Sequence, residues 1–168
     1  MPPRNATRAN AMVKILFFCT ANSCRSPAAA GIFAALAREA GLDDRFWIES
    51  AGTHAGFGSP AHPETIQAAA LFGIDLTGHR SRPLERSDFR EFDLLIGMDR
   101  ANIDAATPLA PRDNLFKLRP LIRDAGTGEP LDVVDPFRVQ GGFVEVHKVI
   151  EGGARSLLDE LRRRDEIT

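Results

Sequence analysis

Cys19 and Arg25 stand six residues apart in the run Cys19-Thr20-Ala21-Asn22-Ser23-Cys24-Arg25. A thiolate is the nucleophilic form of cysteine, and a planar guanidinium can hold two oxygens of one tetrahedral oxyanion. At this spacing the two can flank a single anion while the amides from Thr20 to Ser26 cradle it. The chemistry that suits the arrangement is attack of sulfur on phosphorus. Ser26, next in the chain, belongs to the residue types that cap helices, and Asn22 belongs to those that accept left-handed backbone. Far downstream, Asp135-Pro136 closes a loop, where the carboxyl reads either as a proton donor or as a plain turn.

These side chains need elements to position them. Val13 to Cys19 is an apolar run of the length of a buried strand, and Ser26-Pro27 opens a helical pattern carried by Ile32, Phe33 and Leu36 and stopped at Gly41. Cys19 therefore sits at a strand end facing a helix N-terminus, where unpaired amides and the helix dipole attract oxyanions. Residues 46 to 52 read as a second strand, and residues 64 to 72, before Gly73, as a second helix. Between them lies a loop rich in Gly, Pro and Ser, with Phe57 as its pocket-facing candidate. A short helix is expected over 87–92, a strand over 93–98, a polar helix over 100–106, a fourth strand over 115–118 and a loop over 119–135. Phe143, Val146, Ile150, Leu157 and Leu161 mark one face of a C-terminal helix, in which Gly152-Gly153 points to close packing or a bend. Strands alternating with helices give an α/β fold, a single domain built on a four-stranded parallel twisted sheet with helices on both faces. Sites in such sheets open at the carboxyl ends of the strands, where Cys19 lies.

CTANSCRSP from Cys19, SAGT from Ser50, GHR from Gly78, MD at Met98-Asp99 and DPF from Asp135 together resemble the low-molecular-weight protein tyrosine phosphatases. The resemblance runs from Val13 to about Leu161, with the motifs in the family's order. It implies that family's fold and a phosphatase that hydrolyses protein phosphotyrosine and small aryl phosphates through a phosphocysteine. It also implies Cys19 as nucleophile, Arg25 as phosphate clamp and Asp135 as general acid and later base. Ser26 would donate to the catalytic sulfur, and Asn22, Ser50 and His79 would brace the loop. The substrate would be a phosphorylated protein or peptide and the product inorganic phosphate, with no cofactor or metal.

Some positions depart from the family's usual pattern. Ala21 stands where glycine is common, so the loop must accept a Cβ. Ser23 replaces a branched apolar residue and is similar to that position in arginine phosphatases and arsenate reductases of this fold. Phe137 and Arg138 replace tyrosines, so an aromatic wall would have to come from Phe137 and Phe57 at the pocket rim. Arsenate reductases relay oxidation through later cysteines, and no cysteine follows Cys24. A phosphocysteine carrier or a silent phosphate-binding module is the rival of another class, and an acid/base at Asp135 argues against it.

The chain has 168 residues, enough for one core, with 21 basic against 23 acidic side chains. That balance gives no general grip on nucleic acid. Two cysteines in one motif fit neither a disulfide framework nor a zinc site, and they suit the cytoplasm. No run approaches membrane-spanning length, and residues 1–11, polar and small, read as a mobile tail ahead of a domain over 12–168.

Overall fold

The computed structural model describes residues 12–139 and 141–164, so the tail expected over 1–11 lies outside the described residues. Strand β1 (Val13–Cys19) is central. It pairs in parallel with β2 (Phe46–Gly52), Cys19 opposite Gly52, and on its other side with β3 (Leu94–Gly97), Phe18 opposite Gly97. Strand β4 (Leu118–Pro120) continues beyond β3, giving the order β2-β1-β3-β4. The chain leaves β1 toward β2 on one side and leaves β3 toward β4 on the other, so the carboxyl ends of β1 and β3 flank the switch point where a crevice opens.

The apolar run of β1 is explained by burial on both faces. Ile15, Phe17 and Cys19 point into a core shared with α1 (Arg25–Glu39) and α5 (Gly142–Arg163), through Ile32, Phe33, Ile150 and Leu157. Leu16 and Phe18 point the other way, toward Phe89 of α3 (Asp88–Glu91), Leu95 and Ala106 of α4 (Arg100–Ala106). The period-two alternation fixes register, because a one-residue slip would exchange the two cores. Helix α2 (Pro63–Leu71) ends where Gly73 takes φ +77°, as expected of a glycine stop.

Four expectations are corrected. Residues 112–117 form a 3-10 helix, and the strand starts only at Leu118, which lies opposite Leu95. Hydrophobicity alone misled here, since Leu115 and Phe116 are exposed. The loop expected over 119–135 contains, besides the end of β4, a two-residue hairpin of β5 (Ile122–Arg123) and β6 (Pro130–Leu131). Its turn is held by Asp124 Oδ1, which accepts from the Gly126 and Thr127 amides. Helix α1 starts at Arg25 with Cys24 as its N-cap residue, so Ser26 lies inside the first turn and is not the cap. Finally, close packing explains Gly153 alone: a Cβ there would meet Leu121 Cγ at 2.9 Å, whereas one on Gly152 would meet nothing within 4 Å.

Candidate active site

The loop between β1 and α1 is shaped by Asn22. It is fully buried and, among the described residues, is the one non-glycine with positive φ, at +56°. Its Nδ2 donates to Ser26 Oγ (2.8 Å) and Ser50 Oγ (3.0 Å), and its Oδ1 accepts from the Arg82 amide (3.0 Å). Its carbonyl accepts from His79 Nε2 at 2.7 Å. A carbonyl only accepts, so His79 carries its proton on Nε2. Burial pushes the His79 pKa down, with help from neighbouring Arg80 and against the pull of the Asn22 carbonyl. Three of these four partners, Ser50, His79 and Arg82, come from outside the loop, and the bonds use the Asn22 side chain and carbonyl, none of them an amide of residues 20–26.

Gly52, opposite Cys19 at the end of β2, permits this fit. A Cβ at Gly52 would stand 2.6 Å from the Thr20 carbonyl and 2.9 Å from the Asn22 nitrogen. Ala21 is exposed at the mouth and does not adopt positive φ, so its Cβ is accommodated. Thr20, also at the mouth, accepts from Asn102 Nδ2 at 3.1 Å, while the Ser23 carbonyl accepts from the His62 amide at 2.9 Å.

Cys19 Sγ lies 3.1 Å from Ser26 Oγ. The Ser26 hydroxyl has one proton and also faces the Ala51 carbonyl at 3.3 Å. With Cys19 as a thiol, the S–H donates to Ser26 and Ser26 donates to Ala51; with Cys19 ionised, the Ser26 proton turns to sulfur. Asn22 Nδ2 occupies a lone pair of the same oxygen, which favours that choice of direction.

Arg25 is 6% exposed. Its Nη1 donates to Asp99 Oδ2 at 2.6 Å and to the Val133 carbonyl at 2.9 Å. Both Nη1 protons are thereby used, and the edge formed by Nε and Nη2 remains to meet an oxyanion. Asp99 is fixed in turn as N-cap of α4, where its Oδ1 accepts from the Asn102 amide and Asn102 Oδ1 accepts from the Asp99 amide. Asp135 follows Val133 by two residues, so the bond to Arg25 anchors its segment beside the loop. Asp135 Oδ1 caps the short 3-10 helix Pro136–Arg138 by accepting from the Phe137 amide at 3.0 Å. No described bond engages Oδ2. Burial raises the Cys24 thiol pKa, against hydrogen bonds with Thr65 and Ser23, and the charges of Cys19 and Asp135 add to the rise.

At the rim, Phe137 is 63% exposed and Phe57 76%. No ring pair joins them; the rings that meet Phe137 are His62 and Phe143. Reading the sequence alone missed His62, Asn102 and the main-chain groups of Arg82 and Val133. Main-chain donors carry no signature in side-chain type. Asn102 could have been found, since it stands at the third helical position after a capping Asp. Among the described residues no group of three or more His, Cys, Asp or Glu is placed to hold a metal ion, and no helix is long and apolar enough to cross a membrane.

A parallel sheet whose central strand ends in a thiol, followed by a braced loop and an arginine at a helix N-terminus, defines an α/β protein of the cysteine-headed oxyanion-loop class. The comparisons narrow the class. Residues 14–166 match the family described as low molecular weight phosphotyrosine protein phosphatase, and the chain belongs to it. It is 32% identical over 157 residues to the low molecular weight protein-tyrosine-phosphatase YfkJ of Bacillus subtilis, covering 93% of this chain and all of that one. The crystal structure of YfkJ superposes with a TM-score of 0.82 at 33% identity, covering 92% of this chain and 97% of that one. A protein-arginine-phosphatase of the same organism is 32% identical over 152 residues, 89% of this chain and 95% of the relative.

Proposed function

We propose that the protein hydrolyses phosphotyrosine in proteins or peptides, and small aryl phosphates, through a phosphocysteine on Cys19, with residues 12–168 as one catalytic domain working in the cytoplasm. The observation that carries this reading is the pairing of Cys19 Sγ with Ser26 Oγ beside an Arg25 whose Nε and Nη2 edge bonds to none of the described residues. The thiolate attacks phosphorus in line, and the amides from Thr20 to Ser26, with the Arg25 fork, stabilise the equatorial oxygens. Asp135 gives its proton to the departing phenolic oxygen. It then takes a proton from the water that attacks the phosphocysteine. Sulfur leaves as thiolate, stabilised by the Ser26 hydroxyl, and inorganic phosphate departs. Charge stabilisation by Arg25 and the loop supports a reaction that needs no cofactor.

The test is steady-state hydrolysis of an aryl phosphate with EDTA present, together with the Cys19→Ser variant. Activity should survive the chelator. Cys19→Ser should lose turnover yet still bind phosphate. A stoichiometric burst of phenol with no turnover in the wild type would instead identify a phosphocysteine carrier.

Ser23 supports a second reading, dephosphorylation of phosphoarginine. Its side chain is half-buried at the mouth with Oγ 3.6 Å from Cys24 Sγ, and a small hydroxylic residue leaves room and polarity for a guanidinium. Phosphotyrosine and phosphoarginine peptides compared side by side decide between the two. Ser23→Ile should move the ratio of the specificity constants toward phosphotyrosine, because an apolar branch packs against an aryl ring.

A further inference from the structure

We propose that His62 is a positioning residue whose imidazole holds the Asp135 segment over the phosphate loop. This rests on the reading of Asp135 as general acid. His62 is tied to both sides of the site. Its amide donates to the Ser23 carbonyl at 2.9 Å, which fixes its backbone to the loop that cradles the anion. Its Nδ1 accepts from the Glu64 amide at 3.2 Å, so the ring is anchored at the N-terminus of α2 with its proton on Nε2. The ring then meets Phe137 edge-on, with centroids 5.0 Å apart and planes at 88°, and stacks on Phe143 at 5.2 Å and 13°. Phe137 and Phe143 close the triangle edge-on at 5.2 Å. Phe137 is also the residue whose amide donates to Asp135 Oδ1.

The need for such a prop follows from how little else holds Phe137. The Pro136–Arg138 turn is a single 3-10 turn, and Phe137 as a residue is 63% exposed. From the α5 side, Gly142 approaches the Pro136 carbonyl so closely that a Cβ would collide with it, which steadies Pro136 but not the ring beyond. Offset and edge-on aromatic contacts have a preferred geometry, so two ring partners orient Phe137 better than one. The direction of the Asp135 carboxyl is coupled to that orientation through the Phe137 amide.

The test is His62→Asn, which keeps a capping oxygen for the Glu64 amide and the backbone bond to Ser23 but removes the ring. kcat/KM on phenyl phosphate, whose leaving oxygen needs a proton, should fall by at least about fivefold, a part of the roughly 10²- to 10⁴-fold worth of a general acid. On dinitrophenyl phosphate, whose leaving group needs none, it should hold within about twofold, and inhibition by inorganic phosphate should be unchanged. His62→Phe, which keeps a ring, should restore most of the loss on phenyl phosphate. In an Asp135→Asn background, His62→Asn should have no further effect. Equal losses on both substrates, or none on phenyl phosphate, would overturn the proposal. If His62→Asn does not fold, Phe137→Leu removes the opposing ring and must give the same selective loss, or the proposal falls. Asp135→Asn measured alone separates the two ideas. If it shows no dependence on leaving group, the acid assignment fails and His62 with it; if it does and the ring variants do not, His62 alone is wrong.

Discussion

Ser26→Ala tests the sulfur site most directly, because its Oγ touches three groups with one proton to give. During attack on phosphorus the sulfur loses negative charge, so a bond from Ser26 weakens along the way. During hydrolysis of the phosphocysteine the sulfur regains that charge and the bond strengthens toward the transition state. Only the second step should therefore suffer. A hydrogen bond to an ionised group is worth about 1.5–3 kcal/mol, and at about 1.4 kcal/mol per decade the loss is roughly 10- to 150-fold in kcat. The fold should tolerate the change. Asn22 Nδ2 keeps Ser50 Oγ at 3.0 Å but loses Ser26, and the Ala51 carbonyl loses a donor, so the stability cost is about 1–3 kcal/mol, that of two hydrogen bonds. Stopped-flow release of nitrophenol should show a burst equal to the enzyme concentration and then a slow steady state, with kcat/KM nearly that of wild type. A fall of kcat/KM in step with kcat and no burst would show that Ser26 only shapes the loop, and an unchanged kcat would remove it from the mechanism.

Gly52→Ala puts a methyl group against the Thr20 carbonyl and the Asn22 nitrogen, and since both are backbone the loop must shift. A stability loss of about 1–3 kcal/mol and weakened inhibition by phosphate are expected, read from urea midpoints and competition assays. Burial holds the His147 pKa down, with Glu151 opposing, so the unfolded chain takes up a proton there first as pH falls. Stability is thus full above about pH 6.5 and lost below it until the lowered folded pKa is passed, at no more than about 1.4 kcal/mol per pH unit. Urea midpoints at neutral and mildly acidic pH should show a smaller acid loss in His147→Phe than in wild type. Peroxide should convert the Cys19 thiolate to a sulfenic acid, which the Cys24 thiol, buried and free, can capture with release of water to give a disulfide. Thiol should then revive oxidised wild type but not Cys24→Ser, with a Cys19 to Cys24 bond found by mass spectrometry; equal recovery would remove Cys24 from that role.

What could be read in the sequence follows from which interactions leave a mark on residue type. Strand β1 was legible end to end because both its faces are buried and all its inner residues are apolar. Phe46–Gly52 ended where predicted because glycine is needed against the loop. Leu115 to Leu118 looked equally apolar, yet β3 offers β4 only a short length of partner, so pairing begins at Leu118 and the residues before it turn. As an edge strand, β4 also tolerates Pro120, whose missing donor would count against a central strand. The hairpin of β5 and β6 is too short to show a period. In the site, Asn22 and Arg25 were visible by type, whereas the Val133 carbonyl that shares Arg25 lies 108 residues away and has no side-chain signature. His62 escaped notice because imidazole is not among the preferred helix caps.

The bond from Arg25 to Asp99 raises a question of charge. At 2.6 Å the carboxylate offsets much of the guanidinium's field, which by itself disfavours binding a phosphate dianion. The geometry resolves it. Asp99 and the Val133 carbonyl fix Nη1, so the Nε and Nη2 edge is presented in one orientation before any substrate arrives. What the arginine offers is thus direction more than net charge. A fixed fork discriminates between states that differ in shape. Ground-state phosphate is tetrahedral, whereas in an in-line transfer the equatorial oxygens flatten and can lie in the plane of the fork. Stabilisation that favours the flattened state raises kcat, while a site built on net charge alone would hold substrate and product equally well and release phosphate slowly. The same Asp99 caps α4, so the bonds that begin that helix also aim the arginine. Asp99→Asn should for this reason lower kcat more than it alters inhibition by phosphate, since asparagine keeps a capping oxygen but loses the charge that aligns the guanidinium. If phosphate inhibition tightened severalfold with kcat unchanged, Asp99 would be acting as a charge counterweight, and the argument from orientation would fail.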